Sequence, residues 1–180
     1  ANKAQSHIEK NVHIGYLTKG FSKIGNSIYT ISQTLEKAIP SHKNRTIVIS
    51  GPSHAEEVSR NYHTCLTVAG HDFQARNTIA WLMTNDFLMC RQLDDIIGVE
   101  VGGTLKNPAA IAAGIISVLP DCGDNLAGVL ISEAMKEMIR LGKFFNVKEE
   151  TIIDISGLGD LVATALSDHS RNRRFGKDIA

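Results

Sequence analysis

Two rhythms of apolar and polar residues divide the chain near residue 93. Before that point, short β-type runs alternate with helical spacing. Val12-His13-Ile14-Gly15-Tyr16-Leu17 predicts a strand, and Thr18-Lys19-Gly20 the turn that leaves it. Ile28, Ile31, Leu35 and Ile39 recur at helical intervals, which predicts a helix over 24–39 that Pro40 stops. Thr46-Ile47-Val48-Ile49 reads as a buried strand ending at Ser50-Gly51-Pro52-Ser53. Another strand is expected over 64–69, then a helix over 73–83 and a last strand over 87–92. Strand and helix alternation of this kind implies an α/β layer.

From Asp94 onward the pattern turns helical. Asp94 or Asp95 is placed to cap a helix through Ile96, Ile97, Val99 and Val101, and apolar character continues on almost every side to Leu119. A helix apolar all round is a buried one. Asp124 starts an amphipathic helix with Leu126, Leu130, Met138 and Leu141 inside, ended by Gly142. Residues 148–155 and 160–166 carry two shorter helical patterns. The expected organisation is an α/β portion over 1–93 and an all-helical portion over 94–180, with no internal repeat.

Charge and cysteine content narrow the class. Lys plus Arg is 19 and Asp plus Glu is 19, so a nucleic-acid partner, which needs basic charge spread along a groove, is not expected. Cys65, Cys90 and Cys122 are odd in number and widely spaced, which favours buried thiols in a reducing compartment. No leader pattern opens the chain at residues 1–5, and the longest apolar stretch, 108–120, is too short to span a bilayer. The expectation is a soluble intracellular protein without a stable membrane anchor. Starting on Ala1 and closing on Asp178-Ile179-Ala180, the chain reads as a piece of a longer polypeptide.

Against this neutral background, three arginines fall within four residues in Ser170-Arg171-Asn172-Arg173-Arg174-Phe175-Gly176. Guanidinium forks bind phosphate or carboxylate oxygens in pairs, so the cluster predicts a grip on one small anion. Lys19 follows a strand end, where ligands collect in open α/β sheets. Lys106 sits among apolar residues after Gly102-Gly103. There it either snorkels its ammonium to solvent or serves as a base whose pKa burial and a neighbouring cation have lowered. Ser50-Gly51-Pro52-Ser53 before Ala55-Glu56-Glu57-Val58 offers a helix N-terminus for an anion, or simply a turn. Asp160, after Gly157-Leu158-Gly159, is either a helix cap or a site carboxylate. The seven histidines show no metal-ligand spacing, and no metal is expected. No GxGxxG follows any strand, and the faint P-loop likeness of residues 20–25 fails because Asn26 stands where Lys is required.

Taken in order, Leu17-Thr18-Lys19-Gly20, Ser50-Gly51-Pro52-Ser53, Ile97-Gly98-Val99-Glu100 through Leu105-Lys106-Asn107, Gly157-Leu158-Gly159-Asp160 and the arginine cluster resemble NAD(P)-dependent glycerol-3-phosphate dehydrogenases. The likeness is closest to the bacterial form and runs from about residue 12 to the end. It implies the later part of a Rossmann NAD(P)-binding domain over 1–93. A truncated 6-phosphogluconate-dehydrogenase-like helical substrate domain would follow over 94–180, with the site between them. By this resemblance Lys106 is the proton acceptor. Lys19 touches substrate and cofactor, and Gly51, Ser53, Asp160, Ser170, Arg171 and Asn172 meet the substrate; on physical grounds Asp160 is also placed to orient the lysine amine. Ala55 and Arg171 face the cofactor, NAD or NADP.

The resemblance further implies a cytoplasmic homodimer. It would interconvert dihydroxyacetone phosphate and sn-glycerol 3-phosphate for phospholipid synthesis, and the 180 residues alone would have no turnover. Two departures stand out. His54 replaces an aromatic residue usual after Gly-Pro-Ser, and Pro108 follows Asn107, which predicts a kink next to Lys106. Two other readings are open. One is another phosphosugar or hydroxyacid dehydrogenase of the same superfamily, and the other is a non-catalytic helical dimerisation module.

Overall fold

The computed structural model describes residues 7–9 and 11–180, so the stretch 1–5 read for a leader lies outside the described residues. Strand β1 (Ile14–Tyr16) leads to a hairpin of β2 (Ser22–Ile24) and β3 (Ser27–Tyr29), and only then to helix α1 (Ile31–Ala38). The helix expected over 24–39 therefore loses its first turns to β structure. Gly25, with φ of +62°, makes a tight turn with Asn26, and Ile24 pairs with Ser27 across it. Ile28, counted as a helical core position, is an exposed strand residue. The true start of α1 is marked by the Thr30 amide, which donates to the Gln33 side-chain oxygen at 3.0 Å.

Beyond α1 come β4 (Thr46–Ser50), the short α2 (Ala55–Val58), β5 (Thr64–Gly70), α3 (Phe73–Met83) and β6 (Leu88–Leu93). Asp72 starts α3 by accepting from the Ala75 amide at 3.1 Å. The sheet order is β1-β4-β5-β6, parallel at its two ends and antiparallel between β4 and β5. Period-2 alternation sends Ile47, Ile49, Leu66 and Val68 to the face under α3. Tyr16, Val48 and Ala69 go to the other face, against Ile96 and Val99.

Those last two residues belong to α4 (Ile96–Ile116), capped by the Asp95 carboxylate on the Gly98 amide at 2.9 Å. It runs unbroken through Pro108, which sits exposed. The first half of α4 packs on the sheet. Further along, Val101 joins Met138 of α5 (Asp124–Gly142) and Ile152 of α6 (Glu149–Ile152) in a second core, completed by Leu161 of α7 (Asp160–Leu166). One buried helix thus serves two cores, which is why its sequence is apolar on every side. Met138 is buried as expected, whereas Leu126 in the first turn of α5 is exposed.

The helix expected over 148–155 is cut to α6. The Asp154 carbonyl then accepts from the amides of both Gly157 and Gly159, which opens a wide π-type turn over Ile155–Gly159. That turn presses on α4, where a Cβ on Gly102 would lie 3.1 Å from the Gly157 Cα. Helix α8 (Arg171–Asp178) crosses α4 just as closely. A Cβ at Gly176 would run into the Ile111 carbonyl oxygen, and the Gly114 Cα faces the same position. The rigid backbone there has no room to yield. Gly176→Ala is expected to lose about 1–3 kcal/mol through overpacking. This would read as a lower urea midpoint at unchanged m.

Candidate active site

Segments from both parts of the chain meet at one buried carboxylate. Asp160, the first residue of α7 and 2% exposed, takes Lys106 Nζ on Oδ1 at 2.6 Å and Lys19 Nζ on Oδ2 at 2.5 Å. Asp160 is therefore no helix cap: its oxygens point to ammonium groups, and the preceding residue, Gly159, makes no side-chain cap. Lys106 does not snorkel either. It is 7% exposed, and its amine also donates to Thr164 Oγ1 at 2.5 Å. Thr164 lies one turn after Asp160 on α7 and donates to Asp160 Oδ1 at 3.2 Å. Sequence reasoning did not single it out, although the i,i+4 spacing from Asp160 is a signal it offered.

Burial holds the Lys106 ammonium below the ordinary lysine value. The Asp160 carboxylate works against that fall, and the charge of Lys19 adds to it. The Lys19 stem runs beside Gly103: a Cβ there would stand 3.5 Å from Lys19 Cε, an ordinary contact, whereas Ser50 Oγ, 2.8 Å from the same point, would have to give way.

Above the lysines opens a cleft of about 850 Å³. Lys106, Asn107 and Lys19 border it, with Leu17, Ser53 and Ala55 on one wall and Ser170, Arg171, Asn172 and Arg174 on the other. Gly51 is buried behind the first wall, where its carbonyl accepts from the Ser53 hydroxyl at 3.3 Å. Ser170 is the N-cap of α8, accepting from the Arg173 amide at 3.2 Å. Asn172 Nδ2 donates to Asn107 Oδ1 at 2.8 Å, which ties α8 to α4 beside Lys106.

The helix divides the arginine cluster. Arg171 and Arg174, three apart, face the cleft, whereas Arg173 pairs with Asp168. Arg174 is thus a site residue that the pattern left unassigned. His54, the departure after Gly-Pro-Ser, lines the mouth. Its Nε2 lies 3.3 Å from the Ala163 carbonyl and its ring 6.1 Å from that of His169. Glu56 supplies negative charge at the same rim, its carboxyl held low by its own backbone amide and further by His169, His54 and Arg174.

A buried amine with a lowered pKa, held by a carboxylate and facing two guanidinium groups, is equipped to move a proton on a small anion. Among the described residues no group of three or more His, Cys, Asp or Glu could hold a metal ion, and no helix is long and apolar enough to cross a membrane.

Removing the carboxylate tests this electrostatic centre. Asp160→Asn strands a buried ammonium and is expected to cost about 3 kcal/mol at pH 7. Lys106 has a folded pKa below its unfolded one, so stability rises with pH between the two. Loss of the carboxylate moves the folded value further down and widens that interval. The deficit of the variant relative to wild type should therefore shrink towards alkaline pH, as denaturant titrations at pH 7 and at about pH 9.5 would show.

Comparison with known proteins identifies the family. Residues 1–76 match the profile of the NAD-dependent glycerol-3-phosphate dehydrogenase N-terminus, and residues 95–180 that of its C-terminus. A glycerol-3-phosphate dehydrogenase [NAD(P)+] of Lysinibacillus sphaericus is 39% identical over 97% of this chain and 51% of its own length. That of Vesicomyosocius okutanii is 42% identical over 98% and 53%. The chain thus spans about half the length of the curated relatives it matches. The crystal structure of the glycerol-3-phosphate dehydrogenase from Coxiella burnetii superposes with a TM-score of 0.85 at 33% identity, covering 99% of this chain and 53% of that one. The Dunaliella salina structure shares the fold at a TM-score of 0.90 and 24% identity, with 99% and 30% coverage. The chain belongs to the NAD-dependent glycerol-3-phosphate dehydrogenase family, with a partial Rossmann-type sheet followed by a helical portion.

Proposed function

We propose that the intact gene product interconverts dihydroxyacetone phosphate and sn-glycerol 3-phosphate with NAD or NADP. The observation that carries this reading is the Lys106–Asp160–Lys19 centre at the base of a cleft whose rim presents Arg171 and Arg174. In this reading the chain divides at 93/94 into cofactor and substrate portions. A cytoplasmic homodimer feeding phospholipid synthesis is the setting the resemblance supports.

Lys106 takes the proton of the C2 hydroxyl when the alcohol is oxidised and returns it when the ketone is reduced. Its lowered pKa is what permits the neutral amine. Asp160 aims that amine, and Lys19 steadies the C2 oxygen while its charge opposes protonation of Lys106. Arg171 and Arg174, with Asn172 and the capped start of α8 at Ser170, grip the phosphate. Gly51 and Ser53 shape the opposite wall. Remote binding energy at the phosphate then positions the reacting carbon.

The wall also fits a nicotinamide dinucleotide. Leu17, 63% exposed, and Ala55 offer apolar surface for a planar ring, while Lys19 and Arg171 offer charge for its phosphates. When bound, that group supplies or accepts the hydride.

NADH oxidation by the intact gene product should proceed with dihydroxyacetone phosphate and not with unphosphorylated dihydroxyacetone. Equal rates with the two ketones would overturn the phosphate assignment. Lys106→Ala should lose about 10²- to 10⁴-fold in kcat; near-normal turnover in a folded variant would remove its role as base. Arg171→Ala and Arg174→Ala should each lower kcat/KM for the phosphorylated ketone by about 10- to 100-fold, as befits a lost charged hydrogen bond.

A further inference from the structure

One face of α4 carries two polar residues with no place in the proton-transfer chemistry. Glu100 and Thr104 are four apart and so lie one above the other on the helix. Glu100 is buried. It accepts from the Tyr16 hydroxyl at 2.7 Å, from the Ser32 amide at 2.7 Å and from the Ser32 hydroxyl at 2.6 Å. Thr104 Oγ1 accepts from the Gly20 amide at 3.0 Å. Tyr16 ends β1, and Gly20, with φ of +129°, turns the chain away after it. Lys19 lies between these two anchored residues, and Lys106 lies on the same helix as the anchors.

We infer that Thr104 is a positioning residue: with Glu100 it clamps the segment from Tyr16 to Gly20 onto α4 and so sets Lys19 at a defined distance from Lys106. The inference rests on the proposed dehydrogenase function and assigns a residue which that function does not itself require.

The physical reason is that Lys19 is otherwise weakly held. Its segment after β1 is exposed, and its side chain keeps 29% of its surface in water. Among the described residues, one carboxylate oxygen is its single partner at the ammonium end. The Thr104 hydroxyl fixes the backbone at the next residue, so Lys19 approaches Asp160 along one path. The amide of Gly20 also gains its acceptor there. Lys106 is faced by Asp160 and Thr164 on α7 and by Lys19. Arg171, Arg174, Glu56 and His169 border the same cleft, so a shift of Lys19 alters the balance of charge at the amine.

The test pairs two variants of the intact gene product. Thr104→Val keeps the shape and removes the hydroxyl, whereas Thr104→Ser keeps the hydroxyl and removes a methyl. With dihydroxyacetone phosphate and NADH, Thr104→Val should lose about 10-fold in kcat through misplacement of Lys19, and Thr104→Ser should stay near wild type. In the oxidation direction, the rise of kcat with pH should move to the alkaline side in Thr104→Val, because Lys19 no longer helps to lower the Lys106 pKa. Hydrogen exchange at the Gly20 amide should speed up in Thr104→Val alone.

A Thr104→Ser variant as slow as Thr104→Val would show that packing, not the hydroxyl, matters, and would overturn the clamp. So would wild-type kcat, KM and pH profile in Thr104→Val; in that case the functional reading stands while the clamp falls. Absence of turnover in the wild-type protein overturns the functional reading itself, and the clamp with it.

Discussion

The site depends on a single carboxylate removed from water. Asp160 is buried at the start of α7, and a lone carboxylate there would carry a heavy desolvation cost. Two ammonium groups offset it, one from the loop after β1 and one from the middle of α4. The buried Lys106 ammonium and the buried Asp160 carboxylate each depend on the other, while the charge of the half-exposed Lys19 supports the carboxylate and opposes the ammonium. The arrangement therefore does more than join the sheet and the helices. It leaves the more deeply buried amine, Lys106, with a lowered pKa, which is the property a proton-transfer group requires.

Helix α4 is the scaffold on which that balance is held. Its first half closes one face of the sheet through Ile96 and Val99, and Val101 then belongs to the helical core. A rigid element shared by two cores transmits position along its own axis. Lys106 thus inherits its place from packing on both sides. The missing side chain of Gly102 lets the turn over Ile155–Gly159, which leads into Asp160, press close against the helix that carries Lys106. The polar stripe of Glu100 and Thr104 reaches back from the same helix to the strand end that carries Lys19.

Several elements were legible from pattern because local chemistry decides them. Helix α3 begins and ends where its spacing predicted, since Asp72 caps it and strands bound it on both sides. The strand before Ser50-Gly51-Pro52-Ser53 is fully buried, as a run of β-branched residues implies. The hairpin over residues 22–29 was misread for a physical reason. Over so short a span, the spacing of Ile24, Ile28 and Ile31 fits a helix as well as a strand, and the Gly25-Asn26 turn was the decisive signal. The short α6 was overextended because the backbone amides of Gly157 and Gly159, not side-chain periodicity, shape the turn after it.

By itself the sequence determined an α/β portion followed by a helical one, and it singled out the arginine cluster near residue 171 and the lysine at 106 as candidates. Local propensity, capping and the charge of neighbouring residues are written along the chain. Only the tertiary structure decided which charges meet. It turned Arg173 away to Asp168 while leaving Arg171 and Arg174 to the cleft, because a helix separates residues by angle and not by distance along the sequence. It settled whether Lys106 snorkels and whether Asp160 caps, since both answers rest on a pairing across 54 residues. It also brought Thr164 and Thr104, unremarkable hydroxyls in the sequence, within hydrogen-bond reach of the buried Lys106 amine and of the loop that carries Lys19.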